Sequence, residues 1–261
     1  MTTFQIGAQM FSMRDRTQTA EAMRRTLCEV KKMGYNLVQL SGHNQQIDPM
    51  EIADMLRENE LTCGSTHFSF EAMEQDPARI AQIHHLWNCS YPGIGSMPAE
   101  FHGSREGYLE FARRVSAVAD RLAEDGLHLV YHNHAFEFAK FGGVTGLELL
   151  MEHASPNLQF EVDTYWVQSG GGDPVDWIHR VAGRMDVVHF KEMVGCEPTG
   201  GTMTRMAPVG EGNLNWPKIF AACEEIGVKY AFVEQDNAVD TDSCACMKLS
   251  HDNLVKLGGR F

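Results

Sequence analysis

The amino-acid sequence predicts an α/β fold, a single closed (β/α)8 barrel spanning residues 1–261. Three observations predict it. Eight apolar runs bounded by turn residues alternate strictly with eight segments of helical period or composition. The runs are rich in hydrophobic residues, as expected of parallel strands covered on both faces. No Gly-x-Gly-x-x-Gly follows the first run, where Gly7-Ala8-Gln9-Met10-Phe11 stands instead, so an open doubly wound sheet built on a dinucleotide is disfavoured.

In chain order, the first strand covers Phe4 to Gln9 and its helix Thr19 to Met33, with Lys31-Lys32-Met33-Gly34 as the stop: basic residues in the last turn and a glycine beyond it. The second unit is Leu37 to Ser41 with Pro49 to Glu58, and the third is Leu61 to Thr66 with Pro77 to Trp87. Tyr91 to Ile94 precedes a long helix, Arg105 to Asp125, which Gly126 ends. The fifth and sixth units pair Leu127 to His132 with Thr145 to His153, and Leu158 to Val162 with Val175 to Arg180. Asp186 to Phe190 leads to the helix Trp216 to Ile226, again closed by a glycine, Gly227; Tyr230 to Glu234 and the helix Ser243 to Leu257 complete the series. No linker or low-complexity stretch divides the chain, so one domain is expected.

Composition narrows the partners. With 43% hydrophobic and 22% charged residues the chain reads as globular throughout. A formal charge of -13 opposes a phosphate backbone, and no local basic patch offsets it, so nucleic acid is not expected as a partner. The opening residues lack the basic segment and apolar core of a signal peptide, and no apolar run suits a membrane helix; the cytoplasm is the expected location and no membrane partner is expected. Seven cysteines, odd in number and scattered, read as reduced thiols, and Cys244-Ala245-Cys246 reads as a helix start rather than a metal pair. Gly170-Gly171-Gly172 is a weak phosphate-binding signal because no P-loop context surrounds it.

Chemistry gathers at the carboxyl ends of the last four strands, the end at which barrels of this kind carry their sites. Tyr131-His132-Asn133-His134-Ala135-Phe136-Glu137-Phe138, Phe160-Glu161-Val162-Asp163, Val187-Val188-His189-Phe190-Lys191 and Phe232-Val233-Glu234 each run from apolar residues into a metal-ligand type. Positions 137, 163 and 189 are evenly spaced, one βα unit apart. A longer interval before Glu234 holds the segment Val194 to Asn213, long enough to be a lid. Glu137, Asp163, His189 and Glu234 are therefore expected around one divalent ion, a carboxylate-rich set suited to Mn²⁺ first, with Mg²⁺, Co²⁺ or Zn²⁺ as alternatives. A strand-end carboxylate can also simply cap the next helix. Residues two apart share a face of a strand, so Lys191 should point inward with His189, and Glu161 should lie a layer below Asp163. His132 and His134 share a face leading toward Glu137 and are candidates for contacting substrate hydroxyls or moving a proton.

These motifs, with Gly7-Ala8-Gln9-Met10-Phe11-Ser12-Met13-Arg14-Asp15, Lys32-Met33-Gly34-Tyr35, Val209-Gly210-Glu211-Gly212 and Glu161-Val162-Asp163-Thr164-Tyr165-Trp166, resemble the sugar phosphate isomerase/epimerase superfamily with its xylose isomerase-like barrel. The resemblance covers nearly the whole chain. It implies D-tagatose 3-epimerase-like metal binding, with the four ligand roles falling on Glu137, Asp163, His189 and Glu234. The implied activity is a metal-dependent sugar isomerase or epimerase that removes a proton next to a carbonyl of a keto-sugar or sugar phosphate. Glu137 and Glu234 would serve as bases, His134 and Lys191 as further catalytic groups, and His67, His132, Trp166 and Lys191 as substrate contacts. The resemblance extends equally to inosose dehydratase-like lyases and to the metal-dependent subunit of C-glycoside-cleaving complexes, which eliminate water or an aglycone. The implied partner is a small carbohydrate, with a homo-oligomer, or a small accessory subunit in the C-glycoside case. Two departures stand out: Val38-Gln39 where relatives commonly have Val-Glu, and Trp166 in the region where epimerases tend to carry a second histidine.

Overall fold

The eight runs pair side by side as one parallel sheet. In the computed structural model, which describes residues 2–197, 203–238 and 242–261, the strands are β1 (Gln5–Gln9), β2 (Leu37–Leu40), β3 (Thr62–Thr66), β4 (Gly93–Ile94), β5 (Val130–His132), β6 (Gln159–Asp163), β7 (Val187–Phe190) and β8 (Tyr230–Val233). They follow the order β3-β2-β1-β8-β7-β6-β5-β4, every neighbouring pair parallel. The two ends of this order meet without a ladder of their own. There the Phe68 and Ile94 backbones bridge, Thr66 N–H donates to the Tyr91 carbonyl (3.2 Å) and Phe68 N–H to that of Gly93 (2.9 Å). The sheet is thereby rolled into a nearly closed (β/α)8 barrel.

Helices α1 (Ala20–Met33), α2 (Pro49–Glu58), α3 (Phe70–Gln75), α4 (Pro77–Leu86), α5 (Arg105–Glu124), α6 (Gly146–His153), α7 (Thr164–Ser169), α8 (Pro174–Arg180) and α9 (Trp216–Ile226) lie between the strands in the chain, and α10 (Ser243–Lys256) follows the last. Their punctuation is chemical. Asp48, Ser69, Asp76, Ser104, Asp173 and Asn215 each accept a backbone N–H from the first turn of the following helix. Gly34 (φ 109°) and Gly227 (φ 80°) end α1 and α9 in the left-handed region, as the sequence predicts. None of the described helices is long and apolar enough to cross a membrane.

Two features differ from the sequence expectation. The segment Val194 to Asn213 is not a plain loop: Glu192–Cys196 and Met203–Ala207 pair as an antiparallel ribbon, and residues 198–202 lie outside the described residues. The short helices α3 and α7 were not foreseen, because six residues are too few to display a period.

Inside the barrel the strand alternation sorts the side chains into layers. Leu37, Val130, Val187 and Phe232, with Tyr91, form an apolar plug toward the amino ends of the strands. Two residues further on, the same inward faces carry Gln39, His132, His189 and Glu234. Gly7 shares this crowded interior: a Cβ there would sit 2.7 Å from the Leu37 carbonyl oxygen and 2.8 Å from the Phe232 ring. The apolar plug is the floor of the site.

Candidate active site

Four strand ends deliver four ligand-type side chains to one place. His132 closes β5, Asp163 closes β6, His189 lies in β7 and Glu234 follows β8, and one ligand atom from each lies within 4.8 Å of all the others. Neighbouring registers align them, since His132 stands beside Glu161 and Asp163 beside His189. Asp163 and His189 are wholly buried, and His132 and Glu234 nearly so. The contacts are His132 Nε2 to Asp163 Oδ2, 3.1 Å; His189 Nδ1 to Glu234 Oε2, 3.1 Å; and His189 Nδ1 to Asp163 Oδ2, 3.7 Å.

The donor set fits a divalent cation. His132 has its Nδ1 2.9 Å from the Gly95 carbonyl, so that nitrogen carries the hydrogen, and in the neutral ring the lone pair on Nε2 faces Asp163 Oδ2. A lone pair aimed at a carboxylate is repulsive unless a cation lies between them. Asp163 serves two ends at once: Oδ1 accepts the Trp166 N–H at the start of α7 (2.8 Å), while Oδ2 faces the cluster. Capping and ligation, rivals in the sequence, are divided between its two oxygens.

Among the described residues, one lysine reaches this group. Lys191, almost wholly buried, lies 2.7 Å from Asp236, 3.0 Å from Glu234 and 3.8 Å from Asp163. Burial opposes its charge, but those three carboxylates outweigh burial and raise its pKa above the ordinary lysine value. Burial likewise favours protonated Asp163, and the charge of Lys191 overcomes it and lowers the carboxyl. Asp236 is raised instead, by burial and by the neighbouring Glu234. Glu192, the other acid near Lys191 in sequence, points away and accepts the Met193, Gly210 and Leu214 backbone N–H groups and the Trp216 indole.

The cluster opens into a cavity of about 350 Å³, lined among others by Phe11, His67, His134, Lys191, Glu234 and Asp236. His134 Nδ1 and Trp166 Nε1 are buried there or beside it without hydrogen-bond partners among the described residues, their rings 5.2 Å apart. Burial lowers the His134 pKa to about 3, so its ring is neutral. The Lys191 ammonium lies 5.1 Å from the centre of the Trp166 ring.

Glu137, expected as the strand-five ligand, stands apart from the cluster. The strand ends at His132, and the chain then turns through a short 3-10 helix, Phe136–Phe138, that folds the Glu137 carboxylate back. Oε1 accepts the Tyr131 hydroxyl (2.6 Å) and Oε2 the His134 N–H (2.9 Å), and burial pushes its pKa up to about 7. His132, assigned to the substrate side from sequence, occupies the strand-five position in the cluster. The available signal was its place at the carboxyl end of an apolar run, where Asp163 and His189 also stand. His67 lines the cavity and lies 2.6 Å from Glu161, beneath the cluster. Gln9 and Ser65, which sequence reasoning did not select, bond to Gln39, which in turn donates to Glu161. Gly170 and Gly172 serve packing: a Cβ on either would meet Phe138 within 3 Å.

A model of the xylose isomerase-like TIM barrel matches residues 27–243. The chain belongs to that family. Among solved structures, a sugar phosphate isomerase/epimerase from Parabacteroides distasonis superposes with a TM-score of 0.81 at 21% identity, over 97% of this chain and 94% of that one. Two curated relatives match in part. An inosose dehydratase of Geobacillus kaustophilus is 39% identical over 89 residues, 34% of this chain and 27% of that protein. A 3-dehydroshikimate dehydratase of Bacillus anthracis is 26% identical over 127 residues, 44% of this chain and 45% of that protein. The chain thus spans less than half the length of the curated relatives it matches. An L-ribulose 3-epimerase of known structure shares the fold, with a TM-score of 0.72 at 17% identity over 98% of this chain and 94% of that one.

Proposed function

We propose that the protein is a divalent-metal-dependent enzyme that removes a proton beside a carbonyl of a keto-sugar or keto-cyclitol and then eliminates a β-hydroxyl. The observation that carries this reading is the cluster of His132, Asp163, His189 and Glu234 at the floor of a cavity, with the Lys191 ammonium 3.0 Å from Glu234. Two imidazoles and two carboxylates would hold the ion, a more nitrogen-rich set than the sequence suggested, which favours Mn²⁺, Co²⁺ or Zn²⁺ over Mg²⁺. When bound, such an ion supplies Lewis-acid polarisation of a carbonyl oxygen, worth several kcal/mol.

The chain's own groups divide the remaining work. Glu234 is the pocket carboxylate held ionised, since Lys191 and His189 together overcome its burial, and it is set to take the proton. Lys191 faces the negative charge that develops on oxygen. The neutral His134, with Nδ1 free, holds a substrate hydroxyl. The proton that Glu234 takes is then delivered to the departing hydroxyl, which leaves as water. Elimination is favoured over two-base epimerisation because Glu137, the expected second base, is committed to Tyr131 and the His134 backbone.

A second reading, isomerisation or epimerisation, is favoured by Asp236, which gives the same pocket a further carboxyl able to return a proton to carbon. Incubation with keto-inositols and keto-hexoses separates the two. Growth of ultraviolet absorbance from an unsaturated ketone is expected. A new epimer without it, seen by NMR, would select the isomerase reading. Metal analysis before and after Asp163→Asn tests the centre: about one ion per chain is expected, with at least a tenfold loss of affinity in the variant. Unchanged affinity would overturn the ligand set.

A further inference from the structure

We propose that a chain of buried amides, Gln9 and Gln39, oriented jointly by the Phe11 N–H, Ser65 and Glu161, keeps the hydrogen of His189 on Nε2 and so turns the Nδ1 lone pair to the metal. The proposal rests on the metal reading above but concerns residues that touch no ion.

The chain can be followed donor by donor. Phe11 N–H donates to Gln9 Oε1 (3.1 Å), which fixes that amide, because the opposite orientation would set an NH₂ against an N–H. Gln9 Nε2 must then face Gln39, and it lies 2.7 Å from Gln39 Oε1. That same oxygen is 2.6 Å from His189 Nε2, so His189 must present a hydrogen there. The other side of the Gln39 amide agrees. Its Nε2 donates to Glu161 Oε1 (2.7 Å) and to Ser65 Oγ (3.1 Å), whose own hydroxyl donates to the Tyr91 carbonyl (2.9 Å), a second backbone anchor.

Glu161 completes the arrangement. Its Oε1 lies 3.1 Å from His189 Nε2, and its Oε2 takes the hydrogen of His67 Nε2 at 2.6 Å. His67 Nε2 also lies 3.1 Å from Gln39 Nε2, a contact between two donors that the carboxylate of Glu161 holds together. Two acceptors, the Gln39 oxygen and Glu161, therefore converge on His189 Nε2, and Nδ1 faces Asp163 and Glu234. Metal-ligating histidines generally owe their tautomer to such a partner on the far nitrogen. Here one of the two partners is an amide, which a carboxylate at position 39 could not replace: the same side chain must accept from His189 and donate to Glu161. This gives the departure from Val-Glu to Val38-Gln39 a physical role.

Gln9 is thus a positioning residue, and a pair of substitutions at it distinguishes ordering from space-filling. Gln9→Glu keeps the acceptor for Phe11 N–H but offers a second acceptor to Gln39, turning its amide over so that NH₂ faces His189 Nε2. Gln9→Met removes the link while leaving Gln39 held by Glu161 and Ser65. Titration of the metal-free chains with Mn²⁺, read by electron paramagnetic resonance of the free ion, is expected to show 10- to 100-fold weaker binding in Gln9→Glu and at most a threefold change in Gln9→Met. Equal effects of the two substitutions would overturn the proposal. If no Mn²⁺ binds even the unaltered chain, the metal reading fails first. A second readout needs no variant: in the unaltered chain loaded with Zn²⁺, long-range ¹H–¹⁵N NMR should find His189 protonated on Nε2. Protonation on Nδ1 would refute the inference.

Discussion

A neutral histidine under the barrel wall shows how single residues tie this fold to pH. His84 is wholly buried between the Thr66 hydroxyl (2.8 Å) and the Ile80 carbonyl (2.7 Å), and burial lowers its pKa from 6.5 to about 4. The unfolded chain therefore binds this proton more readily than the folded one between those values. Stability is fully present above pH 6.5 and falls as pH drops toward 4, by up to about 3 kcal/mol from this one group. Urea unfolding at stepped pH should show a shallower loss for His84→Gln than for the unaltered chain. At the site, the placing of Asp163, His189 and Glu234 together was legible because each lies at or near the carboxyl end of an apolar run. Glu137 lies off the cluster, and a sequence gives no sign that a five-residue turn doubles back onto Tyr131. Glu137→Gln is accordingly expected to leave the metal stoichiometry unchanged, as elemental analysis would show.

Elements follow the residues that bound them. Thr145 accepts the Glu148 N–H at the start of α6, and Glu148 in turn accepts the Thr145 N–H, a reciprocal cap for an eight-residue helix that could not hold alone. Thr145→Ala should cost about 1 kcal/mol, measured by denaturant unfolding. The main helices and the strands were legible because apolar period and turn chemistry coincide in them. The two-residue β4 is shorter than Tyr91 to Ile94 suggested, and β5 shorter than Leu127 to His132. In both, the approach to the strand makes backbone hydrogen bonds, His128 N–H to the Ser90 carbonyl and Val130 N–H to that of Pro92 (2.9 Å each), at or before the start of the regular strand spans, so the apolar runs are longer than the strands. The ribbon Glu192–Cys196 with Met203–Ala207 escaped notice because its second strand carries exposed Met203, Thr204 and Arg205, with no buried face to mark it.

For the whole molecule, the polar interior has a thermodynamic signature. Glu161, Asp163 and Glu234 are buried together against the permanent charge of Lys191 and two histidines, and buried like charges destabilise a fold unless compensated. Binding of a divalent ion at a free concentration 100 times its Kd would add about 2.7 kcal/mol to stability. Thermal unfolding with and without EDTA should therefore differ in the unaltered chain and converge in Asp163→Asn. The closed barrel as a class was readable from eight alternations. The polar layer above the apolar plug was not, because a glutamine or serine inside a strand looks like a solvent-facing residue until eight strands are rolled around it.

The place where β3 meets β4 gives this cylinder a hem. Elsewhere each strand is joined to its neighbour by a ladder, while here the described backbone stitches are the Phe68–Ile94 bridge and the bonds from Thr66 and Phe68. A rolled sheet opens first along such a line, so the Thr66 and Phe68 amides should exchange with deuterium ahead of that of Phe232. The hem runs directly into His67 and the cavity lip, and the lip on that side can therefore spread without tearing any ladder that carries a metal ligand.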